Sequence, residues 1–223
     1  MKAYAIFDLD GTLLDSMEVW NNLGKDFLKK YNLDPPGNIE EILKTMSLQQ
    51  SAEYFIREFH INSHPSKIII ELCQMIENNY KFKVQLKPFV LEYLQHLKYD
   101  GVQMCIATAL EYDCVATALK RLKVYDFFEF ILTCSDAQTG KEDPQLFNLA
   151  AQRLGVKPKE TVVFEDALHA IKSAKTAGCY VVGVYDKSAE ADTQEIKKFC
   201  DRYITSFREM RPNIENGVEH SRL

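Results

Sequence analysis

Six short, almost uninterrupted apolar runs limit what this chain can fold into: "AYAIF" (3–7), "VQMCIA" (102–107), "FEFILT" (128–133), "TVVF" (161–164), "YVVGV" (180–184) and, more weakly, "RYIT" (202–205). Their near-continuous hydrophobicity predicts strands of a parallel sheet covered on both faces. Helical patterns separate them: "PFVLEYLQHLK" (88–98), "EYDCVATALKRLK" (111–123), "PQLFNLAAQRL" (144–154) and "LHAIKSAKTA" (168–177). Gly101, Gly155 and Gly178 stand where three of these helices should stop, in the left-handed position that favours glycine. Alternating strand and helix predicts an α/β fold, a doubly wound, Rossmann-like parallel sheet.

One stretch breaks the alternation. From Asp15 to about Val84 no convincing strand is found, while Trp20, Leu23, Phe27 and Tyr31 fall at helical spacing. The segments 47–59 and 65–82 are also helical in pattern. The predicted organisation is an α/β core from 1–14 and 86–210, an inserted helical domain over 15–85, and a polar, flexible tail over 211–223.

Composition removes several classes of function. A net charge of -5 over 223 residues, with no long basic block, argues against a nucleic-acid partner. The apolar runs are far too short to span a bilayer. "MKAYAIFDLD" enters the first strand without a cleavage site, so a cytoplasmic protein is expected, with a monomer as the default. None of the six cysteines forms a C-x-x-C pair, so neither a zinc site nor a redox motif is visible.

Asp8 and Asp10 stand where the first run ends, and Gly11 follows. In an extended chain, residues two apart project to the same side. Both carboxyls can then face one point at the carboxyl edge of the sheet, where open α/β sheets bind ligands. Two like charges held together need compensation, and Mg²⁺ supplies it through oxygen ligands while keeping positions open for water or phosphate. The plainer reading is a surface turn of Asp and Gly, and for an isolated D-x-D-G it would prevail. Asp15 precedes the helical run with Glu18 three residues later, the pattern of an N-cap and its capping box, and is expected to cap that helix.

"DLDGT" after a hydrophobic strand resembles motif I of the haloacid dehalogenase superfamily, D-x-D-x-[TV]. Further signals follow in that superfamily's order: Thr108 at the end of the second strand, Lys141 before "DPQLF", and the acidic pair Glu165-Asp166 after the "VVF" strand. The helical insert resembles the C1 cap of the β-phosphoglucomutase-like phosphatases. Glu142, Ala167, Ala170 and Phe89 depart from the common pattern, and none of these removes a charged catalytic group.

The resemblance implies a Mg²⁺-dependent phosphatase acting on a small phosphorylated metabolite through an aspartyl phosphate. Asp8 would be the nucleophile and Asp10 the general acid and base. Asp8, the Asp10 carbonyl and Asp166 would hold the metal, with Glu165 as a further ligand or as a partner of one. Thr108, the Ala109 amide and Lys141 would bind the phosphoryl oxygens, and Lys141 would also restrain Asp8. Lys44 and Ser47 resemble the cap's specificity loop, and Lys44 and Trp20 are the candidate substrate residues. Trp20 stands where mutases of this group tend to carry histidine, which weighs towards a phosphatase, although a packed tryptophan explains it as well.

Each assignment has a duller counterpart. Thr108 could simply end a strand, Lys141 could be a solvated surface lysine, and Glu165-Asp166 could cap a helix. His169 is expected to be structural or exposed. Two other functions remain in view: a phosphosugar mutase, and a binding or regulatory protein that keeps the fold without turnover.

Overall fold

The computed structural model describes residues 4–43 and 46–210. Lys44 and the 211–223 segment lie outside the described residues. The chain divides into two compact units: the described residues of Met1–Asp15 with Gln85–Leu223, and those of Ser16–Val84.

Among the described residues there are eight strands: β1 (Tyr4–Phe7), β2 (Leu14–Asp15), β3 (Gln85–Leu86), β4 (Gln103–Thr108), β5 (Phe130–Thr133), β6 (Thr161–Glu165), β7 (Tyr180–Val184) and β8 (Arg202–Ile204). The six predicted strands form one sheet of order β5-β4-β1-β6-β7-β8, every pairing parallel. The chain moves outward from β1 to β4 and β5, then crosses to the other side of β1 at β6. That reversal leaves a crevice beyond the carboxyl ends of β1 and β6, the usual ligand position in this topology.

Alternate residues of the strands point to opposite faces. Ile6, Cys105, Val163 and Val181 pack with Leu146, Phe147, Ala150, Ile171 and Ala174, which come from helices Gln145–Arg153 and Leu168–Ala177. Phe7 stacks on Phe164 with ring centroids 4.6 Å apart. Tyr93 and Phe207 close on Phe164 at 5.6 and 5.8 Å. The continuous hydrophobicity of the runs therefore has a direct cause: both faces of the sheet are buried.

The Tyr93 hydroxyl is buried within that aromatic group and has no hydrogen-bond partner among the described residues. An unsatisfied buried hydroxyl costs about 1–3 kcal/mol. Tyr93→Phe keeps the ring and removes the oxygen. It is expected to leave stability unchanged or raise it by about 1 kcal/mol in urea unfolding, and a loss of that size would contradict the assignment.

The second unit contains α1 (Met17–Lys30), α2 (Ile39–Leu43), α3 (Leu48–Phe59) and α4 (Pro65–Phe82). Leu23 and Phe27 of the predicted stripe are buried, and Phe27 meets Phe55 of α3 at 4.7 Å. Ser47 caps α3 in a reciprocal capping box with Gln50. Half-buried Trp20 donates its indole N–H to the hydroxyl of fully buried Tyr80 (3.0 Å). Its side chain is thus tied to the interior of this unit.

The expectation for Asp15 is corrected. Ser16, not Asp15, precedes the first turn of α1, and its side chain makes no capping bond. Asp15 is instead exposed in β2, paired antiparallel with Gln85. The local capping pattern lost to a pairing between the two ends of the insert, 70 residues apart in the chain. Phe89 adopts φ 67 at the start of helix Val90–Tyr99. That left-handed backbone suits glycine, and a bulky residue there is an outlier.

Candidate active site

Asp8 follows β1 directly, and its backbone N–H donates to Phe164 O (3.0 Å). Because Phe7 is in register with Phe164, Asp8 lies beside Glu165, the last residue of β6. Asp166 comes next. The carboxylates of Asp8, Glu165 and Asp166 are all buried, with one oxygen of each within 4.8 Å of the others. Lys141 enters from the turn before helix Gln145–Arg153. Its Nζ donates to Asp8 Oδ1 and, at 2.8 Å, to Glu165 Oε2. A solvated surface lysine is excluded: this side chain is only 10% exposed.

Glu165 accepts three protein donors. Its Oε1 accepts the backbone N–H groups of Asp166 and Ala167, each at 3.1 Å, while Oε2 holds Lys141. Asp166 Oδ1 accepts from the Thr12 hydroxyl (3.3 Å). Gly11 has φ 77, and a side chain there would put its Cβ 2.8 Å from Asp166 Cγ. The turn after Asp10 can thus approach Asp166 only as glycine.

Without a cation, burial and then the charge of Glu165 push Asp8 up to about 7, with Lys141 pulling the other way. The same two causes hold Asp166 well above the usual carboxylate range. Burial would lower Lys141, but the charges of Asp8 and Glu165 prevail and hold it above the ordinary lysine value. Three carboxylates against one ammonium leave two negative charges, which one divalent cation balances.

A hard cation fits. Asp8 Oδ2 is buried without a hydrogen-bond partner among the described residues, and oxygen is the donor that Mg²⁺ takes. Asp8, Glu165 and Asp166 together offer the oxygen donors, Glu165 being the one most engaged by protein donors. Asp10 is half-buried and outside the three-carboxylate group, although its charge also raises Asp8.

A pH dependence follows. Asp8 is raised from 3.8 to about 7 on folding, so the folded metal-free protein binds more protons than the unfolded chain across that window. Stability of the metal-free protein is then expected to fall as pH rises from about 4 to about 7. Bound Mg²⁺ requires the ionised carboxylates and reverses the trend, so the rise in Tm on adding Mg²⁺ should grow over the same window. Melting curves in EDTA and in Mg²⁺ across pH check this, and a metal-induced shift independent of pH would contradict it.

The other predicted site residues lie on neighbouring elements. Thr108 ends β4, next to β1, and is buried; its hydroxyl accepts the Leu110 N–H at 3.1 Å. Ala109 follows in an exposed bend, and His169 is exposed on helix Leu168–Ala177. Sequence reasoning passed over Thr12, although it stands inside the quoted motif. It also passed over Lys87, which carries no motif signal.

The Haloacid dehalogenase-like hydrolase family matches residues 5–184. This chain belongs to that family. The hydrolase is 30% identical over 195 residues to hexitol phosphatase A of Escherichia coli, covering 86% of each chain. It is 27% identical to a probable pseudouridine-5'-phosphatase of Drosophila melanogaster, over 94% of this chain and 91% of that one. Its fold matches CbbY from Rhodobacter sphaeroides, crystallised with phosphate, with TM-score 0.76, 20% identity and 94% and 96% coverage. The β-phosphoglucomutase of Clostridium difficile matches with TM-score 0.70, 20% identity and 95% and 94% coverage. Relatives named phosphatases match in sequence and a structure named a mutase matches in fold, and fold alone does not separate the two activities. No helix of the described residues is long and apolar enough to cross a membrane.

Proposed function

We propose that this hydrolase removes the phosphoryl group from small phosphorylated metabolites in a Mg²⁺-dependent, two-step reaction through an aspartyl phosphate on Asp8. The observation that carries the proposal is the buried group of Asp8, Glu165 and Asp166 with Lys141 bonded to two of them. In the first step an Asp8 oxygen attacks phosphorus, the ester P–O bond breaks, and Asp10 donates a proton to the departing oxygen. In the second, Asp10 takes a proton from water as that water's oxygen attacks phosphorus. Orthophosphate leaves and the Asp8 carboxylate is restored. Asp8, Asp166 and the Asp10 carbonyl would hold Mg²⁺, which would supply the positive charge that lets an anionic ester approach a carboxylate.

Lys141 holds Asp8 in place and adds positive charge for the phosphoryl oxygens, and Thr108 and the Ala109 amide donate to those oxygens. Lys44 is proposed only as a residue of the specificity loop. Trp20, already bonded to Tyr80, is proposed as structural support and not as a substrate group.

Sugar and polyol phosphates are the first substrates to try, because hexitol phosphatase A and the plant (DL)-glycerol-3-phosphatase 2 are relatives. The enzyme is taken as a cytoplasmic monomer. A panel of phosphate esters with and without Mg²⁺, followed by phosphate release and by product identity, tests the proposal. Mg²⁺-dependent orthophosphate release supports it. Conversion of a hexose 1-phosphate to its 6-phosphate without release would point to the mutase, and inertness across the panel to the regulatory reading.

A further inference from the structure

Lys87 lies just after β3, where the chain re-enters the α/β unit. Its backbone N–H donates to Leu13 O (2.8 Å). Its ammonium donates to the carbonyl of Gly11 and to that of Tyr185 (2.7 Å), and pairs with Asp186 Oδ2 (2.8 Å). An ammonium has three N–H donors, and these three acceptors use them all. The side chains of Lys87 and Asp186 are only 15% and 7% exposed. Asp186 is itself fixed from the other side, where Oδ1 accepts the Ser188 amide (2.8 Å) and hydroxyl (2.7 Å).

The Gly11 carbonyl is the critical partner. Gly11 immediately follows Asp10, and its own N–H donates to Leu14 O (3.0 Å). The peptides on both sides of Gly11 are therefore held, while its Cα faces Asp166 too closely to admit a side chain. The Asp10–Gly11 turn has little freedom as long as Lys87 is present. Without it, the Gly11 carbonyl loses its donor, and the bonds of Gly11 N–H to Leu14 O and of the Leu13 and Leu14 N–H groups to Leu9 O are left to hold the turn.

We infer that Lys87 is a positioning residue: by tying the Gly11 carbonyl to the end of β7 through Tyr185 and Asp186, it holds Asp10 where it can give its proton to the leaving oxygen. The inference rests on the reading of Asp10 as the acid–base group. It concerns no contact between Lys87 and substrate. Misplacement of a proton donor is felt in proportion to how much the leaving group needs a proton. An alkoxide needs one, whereas p-nitrophenolate leaves without it.

The experiment compares kcat/KM for glycerol 3-phosphate and p-nitrophenyl phosphate in Lys87→Met, Lys87→Met/Asp186→Asn and Asp10→Asn. Lys87→Met is expected to lose about 10²-fold on the alkyl ester and less than about fivefold on the aryl ester. That single change also leaves Asp186 buried and unpaired, which lowers Tm. The double variant removes the stranded charge, so its Tm should recover while the alkyl defect persists. It carries the comparison even if Lys87→Met fails to fold. Equal losses on both esters, or recovery of alkyl activity together with Tm, would overturn the inference by making Lys87 purely structural. Asp10→Asn keeps the two failures apart. If it shows the ester bias and Lys87→Met does not, the positioning role falls. If it treats both esters alike, the acid–base reading of Asp10 falls.

Discussion

Asp8→Asn is expected to lower kcat/KM by at least about 10⁴-fold on every phosphate ester while leaving the fold intact. A neutral amide oxygen is a poor nucleophile, and the variant also removes one of the two carboxylates proposed for Mg²⁺. Stability should move the other way. Ionised Asp8 is 3% exposed, sits beside Glu165, and has one oxygen without a protein donor among the described residues. Replacing it with a neutral isostere removes that desolvation and repulsion, at the cost of the charged bond to Lys141. In EDTA above about pH 7, where wild-type Asp8 is ionised, the variant is expected to melt no lower than wild type. The difference should shrink below that pH, where wild-type Asp8 takes up its proton. Acid-quenched enzyme should retain labelled phosphate in wild type and not in the variant. A variant within tenfold of wild-type activity would remove Asp8 from the reaction.

Lys141→Met should cost the most stability. The ammonium contacts two buried carboxylates, Asp8 and Glu165, whose side chains are 3% and 0% exposed. Taking away one partner of a buried charge pair leaves uncompensated charge and typically costs about 3–5 kcal/mol. The loss should be greatest in EDTA at alkaline pH. It should be partly restored by Mg²⁺, so the metal-induced gain in Tm is larger than in wild type. Turnover should stay low even when Mg²⁺ has restored the fold, because Asp8 is no longer held and the phosphoryl oxygens lose a cation. Urea titrations with and without Mg²⁺ check the first part and kcat at saturating Mg²⁺ the second. A metal-free variant within about 1 kcal/mol of wild type would show that Asp8 and Glu165 tolerate each other without the lysine.

The strands were legible because their signal is local. Apart from exposed Tyr180, "TVVF" and "YVVGV" are buried or half-buried, the setting in which such runs suit a parallel sheet. Asp8 was legible only together with distant signals: an isolated D-x-D-G reads as a surface turn, and the resemblance of Thr108, Lys141 and Glu165-Asp166 to the superfamily's ordered motifs decided its role. A charged residue at the end of a buried strand either reaches solvent or must be compensated, and the fold puts Glu165 and Lys141 beside it. Asp15 misled because its capping pattern with Glu18 is equally local, yet Asp15 had a better use in the ribbon with Gln85. The short α2 and that two-residue ribbon were absent from the sequence reading. Five and two residues carry too little periodicity to be seen.

The sequence by itself determined where the strands run and which acids stand at their ends, because hydrophobic burial of a four- to six-residue segment is written in that segment alone. Tertiary structure brought those acids to one point and carried Lys141 to Asp8 across 133 residues of chain, as the family resemblance implied, and it alone closed Lys87 on Gly11 across 76. Those distances are bridged by the packing of the sheet and its helices, and no residue's own propensity encodes a partner so far away.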